Sequence, residues 1–214
     1  MKRAILFDLD GTLIDSAPDL GDALNFALNR LGLPTYDLET IRSWIGNGAR
    51  ELVRRGIAGS FEAKDVDEKL LQEALELFFA HYEHNLCRKT RCYDEVPSTL
   101  QELSHFRLAI VTNKPLRFVA PILEELGIDH HFDLILGGDS LEVKKPHPQP
   151  LLHACKQLGV APKDAVMVGD SINDIQAARS AKIESIAVRW GYNGGRPLDA
   201  DHLIDRFSEL KELV

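Results

Sequence analysis

The stretch ILFDLDGTLID, residues 5–15, is a short apolar run that stops at two carboxylates, Asp8 and Asp10, with Gly11 directly behind them. A strand covered on both faces reads as a continuous hydrophobic run, and a glycine after it lets the backbone turn where a Cβ would clash. The stretch therefore reads as a buried strand that presents two acids at one end. In open α/β sheets ligands bind outside the carboxyl ends of the strands. The polar residues at the other strand ends are then the expected partners of Asp8 and Asp10.

Further apolar runs bounded by turn residues lie at 107–113 (RLAIVTN), 132–138 (FDLILGG), 164–170 (DAVMVGD) and 184–190 (ESIAVRW). Helical patterns separate them: LRFVAPILEELG stops at Gly127, PLLHACKQLG stops at Gly159, and SINDIQAARSAK follows the fourth strand. Alternation of this kind predicts right-handed crossovers and a parallel, Rossmann-like sheet. Residues 16–92 differ. Helical periodicity dominates there (LGDALNFALNRLG, ETIRSWIG, DEKLLQEALELFFAHYEHNL) and no strand stands out. The expected organisation is an α/β core of residues 1–15 and 93–214 with a helical cap, 16–92, inserted after the first strand.

The 214 residues are 44% hydrophobic, enough for a sizeable core. A net charge of −8 with scattered acids offers no basic face to nucleic acid, so a small-molecule partner is expected. The opening MKRAILFDLD holds too few apolar residues before Asp8 for a leader or a membrane span. With three cysteines that cannot all pair in one chain, Cys87, Cys92 and Cys155, reduced thiols and a cytoplasmic protein are expected.

The strand ends carry Asp8 and Asp10, Thr112 and Asn113, then Gly137, Gly138 and Asp139, and Asp170, with Lys145 in the loop after Asp139. Converging carboxylates repel unless a cation lies among them, and hard oxygen ligands without histidine suit Mg²⁺, with Asp8 and Asp170 as side-chain ligands. Mg²⁺ with few protein ligands recruits phosphate, which suits phosphoryl chemistry. Thr112, Asn113 and Lys145 supply the hydroxyl, amide and ammonium that can hold equatorial oxygens in the transition state. Asp8 can attack phosphorus, and Asp10 can protonate the leaving oxygen and then deprotonate water.

DLDGTL at 8–13, VTNK at 111–114, KKPHPQP at 144–150 and GDSINDIQAA at 169–178 resemble, in the right order, the four motifs of the haloacid dehalogenase superfamily of phosphohydrolases. The resemblance implies a Rossmann-like core with Asp8 as nucleophile and Asp10 as general acid/base, whose main-chain carbonyl also reaches Mg²⁺. It further implies phosphate binding by Thr112, Asn113 and Lys145, Mg²⁺ ligation by Asp170, and support from Asp174. Lys145 rather than Lys144 matches the lysine that the family places before proline. A true dehalogenase is not expected, because its motif usually lacks the second aspartate.

Within the superfamily, SAPDLGDALNFALNRLGLP and WIGNGARELVRR resemble the caps of phosphoglycolate phosphatases. The resemblance implies hydrolysis of 2-phosphoglycolate, with IGNGA (45–49) as the substrate loop: Gly46, Asn47 and Gly48 at the anion, and Arg50 as a partner for the substrate carboxylate. Another phosphatase substrate (a sugar phosphate, nucleotide or pyrophosphate), a sugar phosphomutase, and a non-catalytic scaffold are the alternatives. A monomer or a homodimer is expected. One departure is Glu95 in CYDEVP, where the family usually has glycine.

Blander readings stand beside these. Lys144 reads as a solvated neighbour, Asp139 as a loop acid, and Arg54 and Arg55 as part of a solvated helix face. His81, His84, Cys87 and Cys92 have a superficial zinc spacing, but they end a long helix and enter a linker. LLQEALELFF reads as cap core.

Overall fold

A computed structural model of the chain describes residues 2–63, 65–193 and 196–214. The opening apolar run forms β1 (Ala4–Phe7), all of it buried. The chain continues through β2 (Ile14–Asp15), four helices, α1 (Ala17–Arg30), α2 (Leu38–Arg42), α3 (Ala49–Ala58) and α4 (Glu68–Glu83), and the two-residue β3 (Arg91–Cys92). Helices and strands then alternate: α5 (Val96–Glu102), β4 (Arg107–Val111), α6 (Leu116–Glu125), β5 (Leu134–Leu136), α7 (Gln149–Leu158), β6 (Ala165–Gly169), α8 (Ile172–Ala181), β7 (Glu184–Val188), β8 (His202–Ile204) and α9 (Leu210–Leu213).

Six strands form one parallel sheet in the order β5-β4-β1-β6-β7-β8. β1 lies inside it, with Phe7 opposite both Ile110 and Val168. Because successive side chains point to opposite faces, β1 feeds two cores. Ile5 and Phe7 join Ile110, Val168, Phe118 and Phe207 on one face, while Ala4 and Leu6 join Ala109, Met167, Leu151 and Ala178 on the other. Burying one Phe or Leu side chain stabilises by about 1.5–3 kcal/mol, so this central strand anchors the Rossmann-like α/β fold expected from the sequence.

Helices α1 to α4 pack on one another, α1 against α4 most extensively. A Cβ on Gly56 would lie 2.7 Å from the end of the Leu24 side chain, so the glycine lets α3 pack on α1 without displacing that leucine. The carboxylate of Asp19, buried in the first turn of α1, accepts the backbone N–H groups of Lys89 and Thr90 and the Thr90 hydroxyl. It ties the start of the helical segment to its end. β2 and β3 pair antiparallel beside that tie, Ile14 opposite Cys92.

β3 falls within 16–92, where the pattern shows no strand, because two residues are too short to display a period of two. β8 has three residues and likewise gave no sequence signal. The expected strands 107–113 and 164–170 end at Val111 and Gly169, and their last polar residues turn out of the ladder into the site. Among the described residues no helix is long and apolar enough to cross a membrane.

Candidate active site

The backbone N–H of Asp8 donates to Val168 O at 2.9 Å, which sets its carboxylate at the mouth between β1 and β6. Asp170 follows β6 directly, and Asp174 lies in the first turn of α8. Oxygens of Asp8, Asp170 and Asp174 all come within 4.8 Å of one another, and all three residues are buried. Lys145 Nζ donates to Asp174 Oδ1 at 2.6 Å and stands 3.0 Å from Asp8 Oδ1 as an ion pair. Among the described residues Asp8 Oδ1 has no hydrogen-bond partner. The other Asp174 oxygen accepts Ser171 N and Oγ, closing a capping box that fixes this acid on its helix.

Gly11 has φ +85°, and a Cβ there would stand 2.3 Å from Asp170 Oδ2, so only glycine lets the chain turn after Asp10 at this point. That same Asp170 oxygen accepts the backbone N–H of Tyr192 at 2.6 Å.

One ammonium faces three carboxylates here. Burial, opposed by the Lys145 ammonium and reinforced by Asp174 and Asp10, lifts the Asp8 carboxyl to about 6. Burial, then the Asp174 and Asp8 charges, hold Asp170 well above the usual carboxylate range. Burial alone would lower Lys145, but Asp174 and Asp8 more than offset it. A cluster with excess negative charge, all-oxygen donors and an orphaned carboxylate oxygen fits a hard divalent cation, and Mg²⁺ suits it.

Asp10 lies two residues on but is held by other groups. Its Oδ1 accepts Ser16 Oγ at 2.5 Å and Lys114 Nζ at 3.0 Å, and Lys114 also donates to Tyr82 Oη at 2.7 Å. The Asp10 side chain is therefore outside the three-carboxylate cluster. Burial depresses Lys114, yet the adjacent Asp10 carboxylate and Tyr82 oxygen raise it above its ordinary value. Lys114 and Tyr82 are absent from the residues expected at the site. The available signal was Lys114 directly after Thr112 and Asn113 in VTNK.

Thr112 and Asn113 are both buried beside the acids. Thr112 Oγ1 accepts the backbone N–H of Lys114. The Asn113 amide donates to Gly46 O and to Lys145 O, both at 3.0 Å. Asn173 Nδ2 also reaches Gly46 O, so the 45–48 loop is clasped to the sheet. Asn47 O accepts Lys144 Nζ at 2.7 Å, so this lysine, exposed as its blander reading expects, also touches the loop.

Two arginines depart from expectation. Arg50 pairs with Glu68 on an exposed side of α3 and does not line the cavity beside the acids. Arg55, read as part of a solvated face, is 5% exposed and donates to Trp44 O, Phe61 O and Asn47 Oδ1, bracing the loop from behind. Asp139 accepts the Leu116 N–H and so caps α6, which is a structural use of that acid. His81 stacks on Phe26, and His84 Nδ1 faces Ala80 O, in keeping with the blander reading of the zinc-like spacing.

The acids open into a cavity of about 40 Å³. Asp8, Asp10, Thr112, Asn113 and Lys114 wall one side, while Gly46, Gly48, Tyr82 and a set of hydrocarbon side chains wall the other.

The sequence profile of the haloacid dehalogenase-like hydrolases matches residues 5–188. The chain is 49% identical to a phosphoglycolate phosphatase of Colwellia psychrerythraea over 98% of its length and 95% of that protein's. It is 45% identical to one from Psychrobacter arcticus over 100% and 96% of the respective lengths. Its fold is similar to the crystal structure of a predicted phosphoglycolate phosphatase from Haemophilus somnus, with a TM-score of 0.93, 39% identity, and coverage of 99% of this chain and 97% of the other. With Asp8, Asp170 and Asp174 gathered at the ends of a parallel sheet, and with likeness along the whole chain, the protein belongs to the haloacid dehalogenase-like hydrolases.

Proposed function

We propose that this phosphatase is Mg²⁺-dependent and converts 2-phosphoglycolate to glycolate and inorganic phosphate through a phosphoaspartate on Asp8. The carrying observation is the buried Asp8 carboxylate, which lines the cavity that Asp10, Thr112 and Asn113 share and has one oxygen beside Lys145 with no hydrogen-bond partner among the described residues. The naming of full-length relatives supports the substrate.

Asp8 and Asp170 would hold Mg²⁺, with the main-chain carbonyl of Asp10 as the superfamily resemblance implies and Asp174 behind them. Bound there, the cation neutralises the carboxylates and the phosphoryl oxygens that approach them. Asp8 attacks phosphorus, and the bond from phosphorus to the glycolate oxygen breaks as Asp10 delivers a proton to that oxygen. Asp10, now ionised, takes a proton from water as the water attacks the phosphoaspartate, which regenerates Asp8 and restores Asp10. Thr112, Asn113 and Lys145 hold the phosphoryl oxygens as charge spreads over them. Lys145, kept charged by Asp174 and Asp8, serves this role at neutral pH. The 45–48 loop, clasped by Asn113 and Asn173, covers the reacting groups and excludes water.

Phosphate release with Mg²⁺ from 2-phosphoglycolate, hexose phosphates, nucleotides and pyrophosphate, compared as kcat/KM, tests the reading. A clear preference for 2-phosphoglycolate is expected. A preference for another compound would retain the chemistry and remove the substrate.

A further inference from the structure

Lys114 is a buried cation in the cavity wall that the proposed phosphoryl chemistry does not use. Lys145 serves Asp8 and Asp174, Lys144 holds the loop carbonyl of Asn47, and Arg50 turns to Glu68 outside the cavity. Among the described residues lining the cavity, Lys114 is the one cation; it is paired with Asp10 at 3.0 Å, and it is the group placed to meet a second anionic group on the ligand.

Opposite it stands Tyr82 from α4. Its oxygen accepts Lys114 Nζ, and among the described residues its own proton has no protein acceptor. Burial pushes this phenol up to about 12, so it remains a neutral donor. Beside this pair the cavity lining includes the hydrocarbon side chains of Leu20, Ile45, Leu52, Phe78 and Phe118. Sugar hydroxyls placed there would lose water without gaining partners, whereas a short apolar body with a charged end would not. Ser16 also holds Asp10, so that acid keeps a donor when the ammonium turns to a ligand.

From this juxtaposition we infer that Lys114 and Tyr82 together form the specificity site that receives the carboxylate of a short phosphorylated acid. The inference rests on the phosphatase reading above and assigns its substrate selectivity. The two groups come from different elements, Lys114 from the loop that follows β4 and Tyr82 from α4, so the carboxylate site exists only with α4 seated over the sheet.

The test compares 2-phosphoglycolate with 2-hydroxyethyl phosphate, a phosphate ester of the same length with a hydroxyl in place of the carboxylate, for the wild type, Lys114→Met, Lys114→Arg and Tyr82→Phe. Each variant is first checked for a cooperative unfolding transition. A charge-assisted hydrogen bond is worth roughly 10- to 100-fold here, so Lys114→Met is expected to lower the ratio of the two kcat/KM values by that factor, mostly through KM. Lys114→Arg should recover part of the ratio. Tyr82→Phe, which keeps its ring packing on Phe78 and Phe118, should lower the ratio about 3- to 10-fold.

Equal losses on both esters would overturn the inference and leave Lys114 as a residue that only positions Asp10. Absence of phosphate release from every ester, with folded protein and Mg²⁺, would overturn the phosphatase reading instead. In that event calorimetric titration of 2-phosphoglycolate decides the site: binding to the wild type that Lys114→Met loses supports it, and equal or absent binding overturns it.

Discussion

Tyr192 joins Asp170 to the start of α1: its backbone N–H donates to Asp170 Oδ2 at 2.6 Å, while its hydroxyl accepts the N–H groups of Ser16 and Ala17 at 2.8 and 3.0 Å. The same hydroxyl donates to Asp15 Oδ1, and the other Asp15 oxygen pairs with Arg42. One residue thus touches both the acid cluster and the segment by which the chain leaves the sheet for the helices. Tyr192→Phe removes the hydroxyl and retains the backbone bond to Asp170. A buried donor left without a partner costs about 1–3 kcal/mol, so the metal-free protein should lose stability in that range in a denaturant melt. The Mg²⁺ activation midpoint should move little. A large shift in the midpoint with unchanged stability would show that the side chain acts on Asp170 and not on the α1 start.

The acid cluster makes a pH prediction whose sign follows from Asp8. Its carboxyl is raised from 3.8 to about 6 on folding, so the folded state holds the proton more tightly than the unfolded state. The resulting stability is complete below pH 3.8 and is lost as pH rises through about 6. In EDTA, Asp8→Asn should gain on the wild type across that window by up to about 3 kcal/mol, since one pKa unit corresponds to about 1.4 kcal/mol. Unfolding curves from pH 4 to 8 read this directly, and Mg²⁺ at pH 7.5 should restore much of the wild-type deficit. Turnover by Asp8→Asn should vanish, and near-normal turnover would remove Asp8 as nucleophile.

Which residues were legible in the sequence follows from what sets their positions. Asp8, Thr112, Asn113 and Asp170 end apolar runs, and the period of a strand together with the rule for parallel sheets brings such ends together. Tyr82 carries no such mark. Along α4 it reads as one more apolar-face residue, and its hydroxyl matters only because α4 lies over the end of β4. Tyr192 sits in an aperiodic loop. Arg50 and Arg55 share one helix, and which of them turns inward depends on the Trp44 and Phe61 carbonyls, partners that helical periodicity does not reveal. Glu95, noted as a departure from glycine, has φ +65°, the conformation in which glycine is the unstrained choice.

Glu95 retains that conformation with help from its carboxylate, which accepts the Ser208 N–H and both Nε and Nη2 of Arg206. The Ser208 hydrogen bond first, then Arg206, hold its carboxyl down to about 2 from 4.5. A depressed acid stabilises above its unfolded value and loses that contribution as pH falls through its folded one. Glu95→Gln should therefore lower Tm at pH 7, and the gap to wild type should narrow between pH 4.5 and about 2. A gap that is constant across this range would mean that the carboxylate charge plays no part.

Arg55 braces the loop that closes over the acids, and a lysine cannot replace it. Its guanidinium donates in three directions, to Trp44 O, Phe61 O and Asn47 Oδ1, and lies over the Phe61 ring at 3.9 Å. An ammonium is a compact point charge without that planar fork. Arg55→Lys should leave one or two of these acceptors unpaired at about 1 kcal/mol each, loosening Asn47 and with it the Gly46 carbonyl that Asn113 and Asn173 hold. Because the loop lines the cavity and, in the function proposed above, covers the ligand without carrying a reacting group, the expected result is a rise in KM of roughly 5- to 30-fold with kcat nearly unchanged. Faster hydrogen exchange at residues 44–48 should accompany it. A fall in kcat at constant KM would place the effect of Arg55 on the reacting groups themselves, and an unchanged exchange rate would show that the loop is held by Asn113 and Asn173 alone.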